Sequence, residues 1–187
     1  FRDASPKSAM VRRPYPPGLH GKRRRRGLSE FGVALQEKQK VRYHYGVSDR
    51  VMKRYVAEAS RARGKTKTES LLQILERRLD NVVFRMGLAP TRRIARQLVS
   101  HGHIFVNGRP TRIPSRLLRP GNRVSLRESS RGMPTFEGLT IRLRKYEPPA
   151  WVSISPEEWS GEVTRLPALE DNLISQNLDK VTEFYSR

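Results

Sequence analysis

The side chains best suited to chemistry in this 187-residue chain cluster between Thr91 and Arg109, in T-R-R-I-A-R-Q-L-V-S-H-G-H-I-F-V-N-G-R. At about 100° per residue, Arg92, Arg93, Arg96, Gln97 and Ser100 share a helical arc of roughly 140°, with Ile94, Ala95, Leu98 and Val99 opposite. Guanidinium groups present planar forks of donors, which suits such a row to phosphate or carboxylate. His101-Gly102-His103 then admits three readings: a pair of metal ligands, a turn whose imidazoles and amides meet phosphate or ribose, or simple turn packing. No carboxylate or third ligand lies near it in sequence, which counts against a metal. After Ile104-Phe105-Val106 comes Asn107-Gly108, a strong hairpin signal, followed by Arg109. A rigid helix–turn–hairpin showing arginines on one face is built to hold a polyanion.

The elements that position this segment can be read on either side of it. Thr91 is a fitting N-cap and Gly102 a fitting C′ glycine for the helix. Before it, Leu71, Leu72, Leu75, Leu79, Val82, Val83 and Met86 recur at three- and four-residue steps. This predicts one amphipathic helix over Thr68–Met86, stopped by Gly87 and separated from the next by Pro90. After it, Thr111–Ile113, the Pro114 break, a Pro120-Gly121 turn and the alternating Arg123–Arg127 predict a small sheet. Ser29 and Ser48 predict caps of two helices, about 30–45 and 49–63, ended by Gly46 and Gly64. Their cations, Lys38, Lys40, Arg42, Arg50, Lys53 and Arg54, have few acidic residues within i,i+4 reach, which favours phosphate contact over a merely solvated face. In the last third Ile141 and Leu143 alternate with Arg142 and Arg144. Ser155-Pro156-Glu157-Glu158 predicts a capping-box helix start. Trp151, Trp159, Phe184 and Tyr185 are expected to fill a core around the first helices rather than stack on bases.

Charge is unevenly spread. The net charge is +20, made of +9 in residues 1–45, +14 in 46–131 and −3 in 132–187. A compact domain with so much positive charge repels itself, so a polyanionic partner is expected on the first two-thirds. An anionic membrane is the runner-up, although no apolar run approaches the roughly 18 residues of a spanning helix. Residues 1–27 lack periodicity and combine Pro14, Pro16, Pro17, Gly18 and Gly21 with Lys22-Arg23-Arg24-Arg25-Arg26. They read as an extended basic arm that orders on phosphates. The chain has no cysteine, which removes disulfides, iron–sulfur clusters and cysteine-ligated zinc. Phe1 is not an initiator Met, so the native N-terminus is expected to be trimmed, processed or further upstream.

One carboxylate suggests catalysis. Arg78-Leu79-Asp80 is similar to the arginine–leucine–aspartate string of pseudouridine synthases, whose aspartate is catalytic. The residues after it are Asn81-Val82-Val83, not the Thr/Ser-x-Gly of those enzymes. Asp80 is instead expected to pair with neighbouring arginines and orient them for RNA.

Taken in order, five strings resemble bacterial-type small-subunit ribosomal protein S-four. They are Arg13-Pro14-Tyr15-Pro16-Pro17-Gly18-Leu19-His20-Gly21, Leu35–Tyr45, Leu75–Gly87, Thr91–Arg109 and the ending Glu183-Phe184-Tyr185-Ser186-Arg187. The resemblance spans nearly the whole chain. It implies an α+β protein: a mainly helical domain (28–77, completed by 128–187), an inserted S-four RNA-binding domain (78–127, two helices on a small twisted antiparallel sheet) and the basic arm (1–27). It implies no enzyme and no cofactor, but direct binding to the 5′ domain of small-subunit rRNA. Early nucleation of assembly, a place near the site where mRNA enters its channel, contacts with small-subunit proteins three and five, and a part in decoding accuracy also follow. So does a location in the small subunit, in the bacterial cytoplasm or, for an organellar member, the mitochondrial matrix or plastid stroma. Some relatives repress their own mRNA. No membrane and no homo-oligomer are expected. Ser5-Pro6-Lys7-Ser8-Ala9 resembles the S-P-K-C-A of zinc-binding members with Ser8 in the cysteine's place, so the zinc site is expected to be lost. The rRNA contacts carried by the segment patterns and the resemblance are Arg12, Arg13, Tyr15, His20, Lys22, Arg23 and Arg24 in the arm; Lys38, Lys40, Arg42, Arg50, Arg54 and Arg78 in the helices; and Arg92, Arg93, Arg96, Gln97, His101, Gly102, His103, Asn107 and Arg109. Two other classes compete: an RNA-modifying enzyme using this domain as its handle, and a stand-alone S-four factor, which would need neither arm nor flanking helices.

Overall fold

The computed structural model describes residues 27–171 and 177–186, together with Val11, Arg13, Tyr15, Gly18, Leu19 and Gly21. Helices α1 (Glu30–His44) and α2 (Asp49–Arg61) begin where serine side chains accept first-turn amides. Ser29 Oγ takes Gly32 N–H at 3.2 Å and Ser48 Oγ takes Val51 N–H at 3.4 Å. Thr66 caps α3 (Lys67–Glu76) in the same way. These three helices bury Val41, Tyr45, Met52, Tyr55, Leu71, Leu72 and Leu75 against Leu178 and Val181 of α7 (Leu178–Ser186), which forms the first of two cores.

The single helix expected over 68–86 is two. After α3 the chain passes through Arg78 in an extended conformation (φ −61°, ψ 136°) and re-enters helix as α4 (Leu79–Arg85). The segment 114–118 causes the break by taking the backbone groups a continuous helix would have used. Leu79 N–H donates to Arg116 C=O at 2.8 Å, and Leu118 N–H donates to Arg77 C=O at 2.9 Å. The apolar period runs through this joint undisturbed, so periodicity alone does not reveal it.

The second core lies between α4, α5 (Arg92–Ser100) and a five-stranded antiparallel sheet: β1 (Ile104–Val106), β2 (Arg109–Pro110), β3 (Arg123–Leu126), β4 (Val152–Ser155) and β5 (Ser160–Val163), in the order β2-β1-β3-β5-β4. Ser155 does not start a helix. It pairs with Ser160 across a hairpin whose turn ends at Trp159 with φ 51°. The capping-box pattern loses because no apolar helical face follows it, whereas β3 offers a free edge that Ser160–Glu162 completes. Ile141 and Leu143 fall in a short helix, α6 (Leu139–Arg144), which buries Leu139 and Leu143 one turn apart.

The last third therefore divides between the cores instead of packing wholly on the helical one. Phe136, Leu139, Leu143, Trp151, Val152 and Val163 join the second core, and Leu178 and Val181 join the first. Trp151 is fully buried in that second core, not around the first helices, and Trp159 packs on its edge. Among the described residues, no helix is long and apolar enough to cross a membrane.

Candidate nucleic-acid interface

Helix α5 is fixed at both ends by local chemistry. Thr91 Oγ1 accepts Ile94 N–H at 3.2 Å. At the other end His103 N–H reaches Leu98 C=O and Gly102 N–H reaches Val99 C=O, both at 3.0 Å, with Gly102 at φ 79°. This Schellman closure needs the left-handed backbone that glycine adopts without strain. Arg93, Arg96 and Gln97 stand exposed on the outer face. Arg92 does not join them. Its Nε donates to Asn81 Oδ1 at 2.7 Å, and its guanidinium lies 4.3 Å from the Phe84 ring centre and 5.2 Å from that of Tyr45. Burial, then the neighbouring Arg85 charge, holds its pKa below the ordinary arginine value. Arg92 sits at the edge of the cationic arc, where aromatic faces and the Asn81 oxygen compete successfully with solvent.

Beyond Gly102 the turn stays close to the surface. His101 is exposed, and His103 is half-buried with Nδ1 2.9 Å from Ser130 Oγ. Burial, then His101 and Arg127, pushes the His103 pKa down, which favours the neutral ring. Among the described residues, no three His, Cys, Asp or Glu side chains gather where a metal could be held. Asn107 (φ 52°) and Gly108 (φ 75°) make the two-residue turn that joins Val106 to its partner Arg109. Positive φ at both positions is what a type I′ hairpin requires. The Asn107 side chain is engaged within the fold, Oδ1 accepting Arg123 N–H at 2.8 Å, while Arg109 is exposed. Arg112 lies across Gly102, where an added Cβ would come within 3.0 Å of its Nε. Arg112, Arg116 and Arg119 are exposed on this segment and were not among the predicted contacts. Their three- and four-residue spacing in R-P-T-R-I-P-S-R-L-L-R was the available signal.

Two buried carboxylates organise the arginines from below. Asp80 receives both Arg78 Nε (3.0 Å) and Nη2 (2.6 Å), the Asn81 amide (2.9 Å) and Arg96 Nη1 (3.2 Å). Arg78 is itself buried, its third contact running from Nη1 to Tyr55 Oη at 2.7 Å. Glu76 receives Arg85 Nε and Nη2 (2.9 and 2.7 Å), Tyr45 Oη (2.6 Å) and Asn81 Nδ2 (2.8 Å). Burial would raise the Glu76 pKa, but the Arg85 bond and charge outweigh it and hold the carboxyl below its ordinary range. Beside this network the half-buried His44 is pushed down to about 4 by burial, then by Arg92 and Arg85.

The cations of α1 are largely consumed by the fold. Lys38 is buried, with Nζ 2.8 Å from Asp49 Oδ1 and 4.7 Å from the Phe184 ring centre, while Tyr185 Oη donates to the same Asp49 oxygen at 2.9 Å. Lys40 pairs with Glu37 at 2.6 Å, and Arg42 lies 3.7 Å from Asp49. Asp49, which takes Lys38 and Arg42, sits on the next helix and outside i,i+4 reach, whereas Glu37 pairs with Lys40 at i,i+3 within α1. Arg50 and Arg54 on α2 are exposed. So are Arg13 and Tyr15. Arg12, His20, Lys22, Arg23 and Arg24, and the Ser5–Ala9 string, lie outside the described residues.

Residues 2–76 match the family model "Ribosomal protein S4/S9 N-terminal domain" and residues 77–124 match "S4 domain". The boundary falls at the break between α3 and α4. The chain is 46% identical over 183 residues to the small ribosomal subunit protein uS4 of Thermus thermophilus, covering 98% of this chain and 87% of that protein. It is 51% identical over 175 residues to the protein of that name from Herpetosiphon aurantiacus (92% and 82% covered) and 48% over 181 residues to that from Roseiflexus castenholzii (95% and 87%).

Proposed function

Because the chain belongs to the small ribosomal subunit protein uS4 family, we propose that it acts as a primary binder of small-subunit rRNA, attaching to the 5′ domain early and helping to nucleate the subunit. The coarser role is that of its family: a structural component of the small ribosomal subunit, not an enzyme. The observation that supports direct RNA binding is the exposed row Arg93, Arg96 and Gln97, continued by His101 and Arg109 within the S4 domain. RNA helices are read by shape, 2′-hydroxyl and phosphate, which a rigid cationic ridge suits better than a base-specific pocket does. Contacts with small-subunit proteins three and five, a position near entering mRNA and an influence on accuracy are part of the same reading. The mixed-charge last third would meet the protein neighbours. An Asp80-based catalytic reading is disfavoured because its carboxylate is already saturated by Arg78, Arg96 and the Asn81 amide.

The test is binding to a 5′-domain rRNA fragment across a salt series. Each phosphate neutralised steepens the log–log slope by about 0.7–0.9, so wild type should fall steeply with salt. Arg93→Glu with Arg96→Glu should abolish binding while the circular dichroism spectrum is retained. A flat salt response, or unchanged affinity in the double variant, overturns the reading.

A further inference from the structure

Of the asparagines in this chain, only Asn107 is followed by glycine. Asn107 and Gly108 are both exposed at the tip of the β1–β2 hairpin. We propose that Asn107 is a site of spontaneous deamidation, gated by the two hydrogen bonds it exchanges with Arg123. The chemistry is the chain's own and needs no RNA.

In the reaction the backbone nitrogen of Gly108, having given its proton to solvent, attacks Cγ of the Asn107 side-chain amide. A new C–N bond closes a succinimide ring. The bond from Cγ to the amide nitrogen breaks, and that nitrogen takes up a proton and leaves as ammonia. Water then opens the ring at either carbonyl. One product is aspartate; the other is isoaspartate, whose main chain runs through the side chain and is one methylene longer. A side chain on the following residue would crowd the attacking nitrogen. Gly108 has none, and even an added Cβ there would meet nothing within 4 Å, so the approach is open. Asn122 precedes Arg123, and Asn81 is buried and precedes Val82, so neither offers an unhindered nitrogen.

The folded hairpin holds the reacting amide back. Arg123 N–H donates to Asn107 Oδ1, and Asn107 N–H donates to Arg123 C=O, each at 2.8 Å. Ring closure must swing Cγ onto the Gly108 nitrogen, so the side chain has to leave Arg123 first. The other side of the turn is weakly held. Strand β2 is only Arg109 and Pro110, both exposed, and Pro110 has no N–H to offer β1. Opening such a tip costs much less than unfolding either core. The product places a carboxylate beside exposed Arg109, and isoaspartate also lengthens a turn that fits two residues.

The experiment incubates the full chain at mildly alkaline pH, with and without denaturing urea, and follows amide-to-acid conversion at each asparagine by tandem mass spectrometry. Isoaspartate is counted by enzymatic methylation of its carboxylate. In urea Asn107 should convert first, well ahead of Asn122. Each of the two hydrogen bonds to Arg123 slows the folded reaction by about 2- to 12-fold, so the native rate at Asn107 should be about 5- to 150-fold below the rate in urea. The Arg123 amide signal in a ¹⁵N spectrum should be lost in proportion to the isoaspartate formed, whereas Asn107→Asp, which adds the charge without the methylene, should keep it. No preference for Asn107 over Asn122 in urea overturns the site. Equal rates with and without urea overturn the gate. A native rate lower by several thousandfold or more, as expected if only global unfolding exposed the amide, overturns opening of the tip.

Discussion

Replacing Glu76 by glutamine tests whether the joint between the two cores depends on one buried charge. The carboxylate is 1% exposed, and each oxygen accepts two bonds. Oε1 takes Tyr45 Oη and Arg85 Nη2, and Oε2 takes Asn81 Nδ2 and Arg85 Nε. Glutamine keeps the shape but puts an NH₂ where one oxygen was. At the Oε2 place that NH₂ would face two donors, neither of which can accept. At the Oε1 place it would face Arg85 Nη2, which cannot accept, and Tyr45, whose hydroxyl can turn to do so. The amide should settle in the second orientation, leaving Arg85 half-paired and without a counter-charge. Removing one partner of a buried ion pair costs about 3–5 kcal/mol, a large share of the roughly 5–15 kcal/mol of a typical fold. At about 2–4 °C per kcal/mol for a chain of this size, the melting temperature should fall by about 6–20 °C. The measurement is urea unfolding followed by circular dichroism at 25 °C, with Glu76→Gln compared to Glu76→Gln plus Arg85→Met. Since the second change removes the orphaned guanidinium, the double variant should recover at least half the loss. A loss below about 1 kcal/mol, or a double variant no better than the single, would refute the argument.

Three further outcomes follow from the geometry. His44 titrates near 4 in the fold against an ordinary 6.5, so the unfolded chain takes up its proton first; stability should fall as pH drops from about 6.5 towards 4, and His44→Gln should flatten the change in urea midpoint between pH 7.5 and 5. Gly161→Ala would drive a Cβ into the Ser153 carbonyl of the paired strand and against the Met86 side chain, so the β4–β5 hairpin should be displaced and stability should drop by about 1–3 kcal/mol; a melting temperature within a degree of wild type contradicts this. Gly102→Ala forces a side chain onto φ 79° and into contact with Arg112, so it should cost about 1–2 kcal/mol and weaken rRNA binding, whereas Gly108→Ala, with open space around it, should show the backbone cost alone.

Much of this protein is legible along the chain because the signals are local. Ser29, Ser48 and Thr91 cap the helices they were expected to cap, and Asn107-Gly108 makes the expected hairpin. The exposed row of Arg93, Arg96 and Gln97 follows from helical spacing alone. Capping, tight turns and amphipathic period each involve residues within four positions of one another, so composition and order suffice to specify them. The break at Arg78 was hidden because it depends on residues 114–118 bonding to Arg77 and Leu79. The strand at Ser160 depends on the free edge of β3, and the inward turn of Arg92 on Asn81, Phe84 and Tyr45. Lys38 reads as a surface cation until α7 brings Phe184 and Tyr185 over it. The sequence by itself determined that this chain carries a row of arginines along one face of a capped helix. Only the tertiary structure decided which arginines stay free to meet an anion and which are held by buried Asp80, Glu76 and Asn81, because a guanidinium's partners are set by what other elements place within about 3 Å of it.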